Sequence, residues 1–244
     1  MLGVLVLALS SVAAARAASW PPFVPPPDSL SYDVASTVER VWRDPTFTRT
    51  VHVESAPASL AAYDAFIDAP DLTAAAARHL KLANYDVRIL DRDWYHADDG
   101  HGARGLYRVL VRERTRRVIV SWGSHSGAIL GTISGSALTV LTFDERQGRV
   151  GQTLTAYVLI ENTVAATMAR ALLPLFESLV DRKLSEGFHV MAKVVEWATS
   201  RPQEFCAWMA EQELSAERRE SLPATVPACS SGADHRQAGS SMAR

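Results

Sequence analysis

A single long helical pattern near the carboxyl end constrains the fold most strongly. Apolar residues recur at i, i+3, i+4 and i+7 spacing over 163–198, which predicts one helix that begins after Asn162 as its N-cap and runs to about Ala198. At about 1.5 Å per residue this helix would be roughly 54 Å long. Pro174 should bend it, because proline removes a backbone hydrogen bond. The apolar stripe of such a helix has to be buried against the rest of the chain.

The residues before this helix alternate between apolar and polar side chains at period two, which indicates strands with one face against a core. The predicted strands lie at 46–54, 85–89, 107–112, 117–122, 138–143 and 152–160. Short connections at 114–116 and 144–148 make their neighbours antiparallel. Two short helices are predicted after the first strand, at 59–67 and from a cap at Asp71 or Thr73 to about Leu82. The chain is therefore expected to form one α+β domain.

This order of elements, together with the closing run Leu172–Leu179, resembles the helix-grip fold of the START and polyketide-cyclase-like (SRPBCC) superfamily over residues 46–198. The resemblance implies a curved antiparallel sheet wrapped around a long C-terminal helix, with a cavity between them. It also implies binding or transfer of a hydrophobic small molecule such as a lipid, a sterol or a polyketide. Some members of the superfamily are enzymes, and most lack a shared catalytic set.

The residues expected to line such a ligand site follow from one premise, that the arginine-bearing face of the sheet points outward. The side chains that would then lie between sheet and helix are Tyr85, Tyr107, Val109, Val120, Trp122, Leu154, Val158, Met168, Leu172 and Phe176. The same side chains could equally be ordinary core residues, because a regular aromatic or methionine stripe is packing more often than ligand contact.

Two other functions stay open beside the binding protein. A cyclase or hydratase on the same fold would need acid and base groups that reach the cavity, with His52, Glu54, Asp91 and Tyr157 as candidates. An interaction module would instead have a filled core and an exposed apolar patch.

No catalytic motif, cofactor site or metal site is expected from the remaining motifs. The run 96–101 holds two histidines and two aspartates, and it is predicted to be a polar hairpin loop because zinc sites draw ligands from more than one rigid element. Ser124 and His125 are adjacent in a predicted strand and point to opposite faces, so they form no dyad. The glycine-bearing segment 131–136 precedes a predicted strand and is expected to bend or bulge the sheet.

The amino terminus predicts export. Leu2–Ala15 is apolar apart from two serines and is followed by Arg16-Ala17, so Ala15-Arg16-Ala17 suits cleavage after Ala17 and residues 1–17 read as a signal peptide. An uncleaved anchor is the alternative, although about 14 apolar residues fall short of the roughly 20 that span a bilayer. The mature protein is expected to be periplasmic or extracellular.

The segments outside the domain at 46–198 have distinct compositions. Residues 18–45 form a proline-rich lead-in, predicted to be a spacer or strap outside the core, with a short helix at 36–43. The chain's two cysteines, Cys206 and Cys229, are expected to form a disulfide that closes a tail at 199–229 with an amphipathic helix at 211–219. Residues 230–244 are rich in serine, glycine and alanine and are predicted to be disordered.

The overall charge excludes one class of partner. The formal net charge is −2 and the pI is about 6.4, so no field attracts nucleic acid. A hydrophobic small molecule is the expected partner. Transient contact with a membrane and the oligomeric state stay open.

Overall fold

The computed structural model describes residues 20–127, 131–212 and Cys229. The predicted signal peptide at 1–17, most of the predicted helix at 211–219 and the predicted disordered end at 230–244 lie outside the described residues. So do the side chains of residues 170–180.

Seven antiparallel strands form one curved sheet, which confirms the predicted α+β helix-grip architecture. The strands are β1 (Phe47–Ala56), β2 (Asp86–Ile89), β3 (Trp94–Asp98), β4 (Ala103–Glu113), β5 (Arg116–Gly127), β6 (Gly131–Arg146) and β7 (Arg149–Ile160). Their order is β1-β7-β6-β5-β4-β3-β2, so β2 to β7 form a meander and β1 adds to its far edge.

Five α-helices surround the sheet in the described part of the chain. They are α1 (Tyr32–Arg43), α2 (Leu60–Ile67), α3 (Pro70–His79), α4 (Thr163–Ser200) and α5 (Pro202–Ala210). Asn162 caps α4 as predicted, because its Oδ1 accepts a hydrogen bond from the Ala165 N–H at 3.0 Å. The predicted cap of α3 is wrong: Ala69 is the N-cap and Pro70 is the first helical residue, where proline's missing N–H costs nothing.

Strand β3 is absent from the predicted set, and β4, β5 and β6 extend well beyond their predicted bounds. The run 96–101 is not a loop throughout, because β3 includes His96 and Asp98 and pairs with β4. The turn after it is held by the Asp98 and Asp99 carboxylates, which accept backbone hydrogen bonds from Gly100 and His101 at 2.8 and 2.7 Å.

Strand β6 begins at Gly131 and keeps a continuous register with β5 and β7, so the glycine-bearing segment contains no bulge. Gly105, Gly123 and Gly135 lie opposite one another on three neighbouring strands. A Cβ at Gly135 would lie 2.6 Å from the Leu159 carbonyl oxygen, and a Cβ at Gly123 would lie 2.9 Å from that of Arg104. The strand backbones therefore come too close at this row for any residue other than glycine.

The carboxyl-terminal half of α4 packs on the concave face of the sheet together with α2, α3 and α5. The main buried side chains of this layer are Tyr63, Phe66, Leu72, Phe143, Val150, Val190, Val194, Val195, Trp197, Phe205 and Trp208. A smaller cluster continues it across β1 and β7, with Phe188 of α4 against Val51, Val53, Leu154 and Ala156. The apolar stripe of α4 is thus buried over this half.

The convex face of the sheet is covered as well. Val34, Val38 and Val41 of α1 pack on Val118, Val120 and Leu138 of the sheet. The lead-in joins this layer, since Val24 is only 7% exposed and the rings of Phe23 and Trp42 contact Tyr157 at centroid distances of 6.2 and 5.0 Å. Of the two predicted alternatives, the lead-in is therefore a strap and not a spacer. The expectation that it lies outside the core is wrong, because Val24 is buried in the outer layer.

A buried arginine links the sheet to the two short helices. Arg117 of β5 is 2% exposed, and its Nε and Nη2 donate to the two carboxylate oxygens of Asp68 at 3.1 and 3.0 Å. Nη2 also reaches Asp64 of α2, and Nη1 donates to the carbonyl oxygens of Glu113 and Arg116. The guanidinium therefore points inward with all its donors satisfied.

Cys206 of α5 and Cys229 form a disulfide with their Cα atoms 5.2 Å apart, as predicted. Such a bond is typical of proteins in oxidising compartments. Among the described helices, none is both long and apolar enough to cross a membrane.

Candidate ligand-binding site

Strand pairing decides which face each predicted site residue occupies, because directly opposed residues of antiparallel strands share a face. Tyr107 is opposite Ser121, Ser121 is opposite Ala137, and Ala137 is opposite Val158. Val158 packs against the cluster that contains Phe188 of α4. This row therefore lies on the concave face. Of the predicted set, Tyr107, Val109, Leu154 and Val158 lie there.

The predicted places of Val120 and Trp122 in the ligand site are wrong, since both side chains lie on the convex face. Val120 is fully buried against the α1 layer, and the Trp122 Nε1–H donates to Thr37 Oγ1 of α1 at 3.1 Å. The premise of an outward arginine face fails because Arg117, on the same strand, is turned inward by Asp64 and Asp68. Alternate residues of a strand point to opposite faces, so Val120 and Trp122 point outward.

The remaining predicted residues do not join this row. Met168 of α4 is 42% exposed, which contradicts its assignment to the space between sheet and helix. Tyr85 is half-buried at the edge of the core formed by α3 and α4. The side chains of Leu172 and Phe176 lie outside the described part of the chain, so their assignment stays a prediction.

The concave face is filled at one end and open at the other. Under the carboxyl-terminal half of α4, Ala156 is only 3% exposed and Val150 is fully buried. On β3 to β6 Val109, Arg117 and Phe143 are buried, but six other inward residues remain half-buried: Tyr95, Tyr107, Ile119, Ser121, Ala137 and Thr139. This open part is the candidate site. The sequence analysis does not include Tyr95, Ile119, Ser121, Ala137 and Thr139. They share the face of Tyr107 through cross-strand pairing, so knowledge of the strand register is needed to identify them.

A stacked pair of tyrosines stands on this open surface. Tyr95 of β3 and Tyr107 of β4 are opposite one another, with ring centroids 5.0 Å apart and ring planes 2° from parallel. Burial raises the pKa of both phenols. The neighbouring phenol of Tyr107 raises the pKa of Tyr95 further, and the carboxylate of Asp99 raises the pKa of Tyr107 further. Both side chains are therefore neutral near pH 7.

Charged groups of both signs lie near the tyrosines. Asp99 and Glu186 both act on Tyr85, whose pKa is raised to about 12, chiefly by burial. Arg112 acts on Tyr95, but its guanidinium is held by Asp68 at 2.5 Å and by Asp93 at 3.2 Å. Near the tyrosine pair, Asp99 is therefore the acidic neighbour, and the guanidinium of Arg112 is already paired.

The acid and base candidates of an enzyme do not converge here. His52 is exposed and its Nδ1 lies 2.9 Å from Thr153 Oγ1. Asp91 accepts hydrogen bonds from the Asp93 and Trp94 N–H groups in the β2–β3 turn. Tyr157 lies on the convex face against Trp42, and the Glu54 side chain lies outside the described part. Within the described ranges there is also no cluster of three metal-ligating side chains.

Two grooves lie away from the concave row. One of about 410 Å³ runs along the convex face beside Leu106 and Trp122, with Arg104 and Glu161 at its rim. The other, of about 470 Å³, lies between Leu80 and Leu82 and the end of α4 near Trp197. Both are shallow and open to solvent, whereas ligand sites for apolar molecules bury most of the ligand's surface. Neither groove encloses a ligand in that way.

Comparison with known proteins assigns no family. No protein-family profile matches the chain, and no curated protein sequence matches it significantly. Among solved structures, a conserved protein from Geobacillus kaustophilus superposes with a TM-score of 0.45 at 13% identity, covering 62% of this chain and 97% of that one. DynU16, a protein in the dynemicin biosynthetic locus, gives 0.40 at 13% identity over 61% of this chain and 47% of its own length. Ara h 8.0201 gives 0.39 at 11% identity over 61% and 98%.

Proposed function

We propose that this chain is an exported binding or transfer protein that holds a hydrophobic small molecule between the open concave surface of β3 to β6 and α4. The observation that carries the proposal is the contrast along one face: Ala156 is buried against α4 while Ala137, on the neighbouring strand, is half-buried. Apolar surface left open in this way costs about 25 cal/mol per Å² relative to burial. A ligand that covers it would recover that free energy.

The proposed location rests on two features. The disulfide between Cys206 and Cys229 fits an oxidising compartment, and the apolar run ending at Ala17 fits a cleaved signal peptide. Binding is preferred to catalysis because His52, Asp91 and Tyr157 lie apart from the concave surface.

Titration with Nile red, a neutral dye whose emission shifts to the blue in apolar surroundings, tests the proposal. Protein purified from the periplasm should bind it saturably near one to one, and native mass spectrometry should show a co-purified small molecule or a stoichiometric dye complex. Absence of both would reject the binding function and favour an interaction module with a filled core.

A further inference from the structure

The polar groups of the open concave surface are arranged as donors. Tyr95 and Tyr107 present parallel rings from adjacent strands, and within the described chain neither hydroxyl hydrogen-bonds to a protein atom. The hydroxyl of Tyr63 is sealed in the core without a partner, whereas the side chains of Tyr95 and Tyr107 are only partly buried. Solvent, or a ligand in its place, can therefore reach both.

Neutral phenols can give a hydrogen bond to an oxygen acceptor. Because burial keeps the pKa of both tyrosines above its usual range, the O–H groups are retained throughout the physiological pH range. A bound apolar molecule that lacked an acceptor would cover these hydroxyls and leave them unpaired, which is unfavourable.

The charges around the pair select against an anion. Asp99 is the acidic group that acts on Tyr107 of the pair. Arg112 is already committed to Asp68 and Asp93, so a carboxylate on the ligand would meet the like charge of Asp99 without a free guanidinium of Arg112 to offset it. Like charges brought together in a partly buried site are unfavourable.

We infer that the Tyr95–Tyr107 pair is the polar recognition element of the site and that its ligand is a neutral, flat, apolar molecule bearing a carbonyl or hydroxyl oxygen, not a fatty-acid anion. This inference rests on the proposed binding function and narrows it. The rings and the apolar wall around Ala137 and Ile119 hold the skeleton of the ligand, and the phenol O–H groups donate to its oxygen.

Three compounds of nearly equal shape separate these contributions: 2-acetylnaphthalene (a neutral ketone), 2-naphthoate (the corresponding anion) and 2-ethylnaphthalene (the hydrocarbon). Equilibrium dialysis against the wild-type protein should show the ketone bound about 10-fold more tightly than either of the others, the gain expected of one or two hydrogen bonds. The double substitution Tyr95→Phe with Tyr107→Phe should remove that preference and leave the affinity for the hydrocarbon unchanged.

The hydrocarbon is also the control for folding, because its binding needs the site but not the hydroxyls. Tyr157→Phe is the matched control variant, since Tyr157 lies on the convex face with its ring against Trp42, and it should leave all three affinities unchanged. Equal binding of all three compounds, unaffected by the double substitution, would overturn the inference and leave the binding function standing. Tightest binding of 2-naphthoate would also overturn it, and binding of none would reject the binding function itself.

Discussion

Arg117 is the side chain on which the junction between the sheet and the short helices depends most. Its guanidinium is buried and meets Asp64 and Asp68, which lie on and just after α2. Burying an arginine is unfavourable unless every donor is paired, and here the two carboxylates and two carbonyl oxygens satisfy them. Desolvation, opposed by Arg117, raises the pKa of Asp64.

Substitution of Arg117 by methionine keeps most of the volume and removes the charge, which leaves Asp64 without its ion-pair partner and Asp68 paired with Arg112. We expect a loss of about 2–4 kcal/mol in the free energy of unfolding, somewhat less than for fully buried pairs because the carboxylates can recover some water. Arg43→Gln, which breaks an exposed pair with Glu39, should cost under about 1 kcal/mol. Urea unfolding measures both, and similar losses for the two variants would contradict this account of Arg117.

Replacing a glycine by alanine should have opposite effects on stability in β6 and in α4. At Gly135 of β6 a Cβ would meet the Leu159 carbonyl oxygen at 2.6 Å, whereas at Gly187 of α4 it would meet nothing within 4 Å. Gly135→Ala should therefore destabilise the protein by about 1–3 kcal/mol through overpacking. Gly187→Ala should stabilise it by about 0.5–1 kcal/mol, because alanine is the better helix former. The midpoints of thermal unfolding of the two variants test both predictions. Stabilisation by Gly135→Ala would show that the strands are not in close contact there.

Helix α4 is tied to the edge strand β1 by a two-pronged ion pair. Arg49 donates from Nε and Nη2 to the two oxygens of Asp181 at 2.6 and 2.8 Å. These hydrogen bonds hold the pKa of Asp181 below its usual range. A carboxyl with a lowered pKa in the folded state stabilises that state at neutral pH, and the contribution disappears as the pH falls through the lowered value.

Asp181→Asn should therefore lower the midpoint of thermal unfolding at pH 7, and the difference from the wild-type protein should shrink as the pH falls below about 4. Glu39→Gln is the control, since Glu39 pairs with Arg43 within α1 and this pair joins neither α4 nor β1. Hydrogen exchange in β1 should increase for Asp181→Asn alone. A difference that persisted or grew in acid would contradict the assigned role of the Arg49–Asp181 pair.

For the whole molecule, periodicity predicts the order of the elements apart from β3, whose residues overlap the predicted polar loop, and α4 with its Asn162 cap matches the expected helix closely. The face that each strand residue occupies could not be predicted, because apolar residues lie on both sides of the sheet. Val118, Val120 and Trp122, for example, contact α1 and the lead-in. A register shift between Val109 and Val111 also breaks the simple alternation along β4. An alternation of apolar and polar residues assigns strand residues to two faces but does not show which face packs against a helix. The open concave surface therefore becomes visible only in the structure.

The central claim is that the concave surface around Ala137 is open for a ligand, and two substitutions on the same face test it most directly. Ala137→Phe should fill the open space, leave the free energy of unfolding within about 1 kcal/mol of the wild type and abolish Nile red binding, whereas Ala156→Phe enters a filled core and should cost about 1–3 kcal/mol. Nile red binding by the wild-type protein that is lost in Ala137→Phe at unchanged stability is the result this account predicts. A loss of stability in Ala137→Phe equal to that of Ala156→Phe, with no dye bound by the wild type, would contradict it.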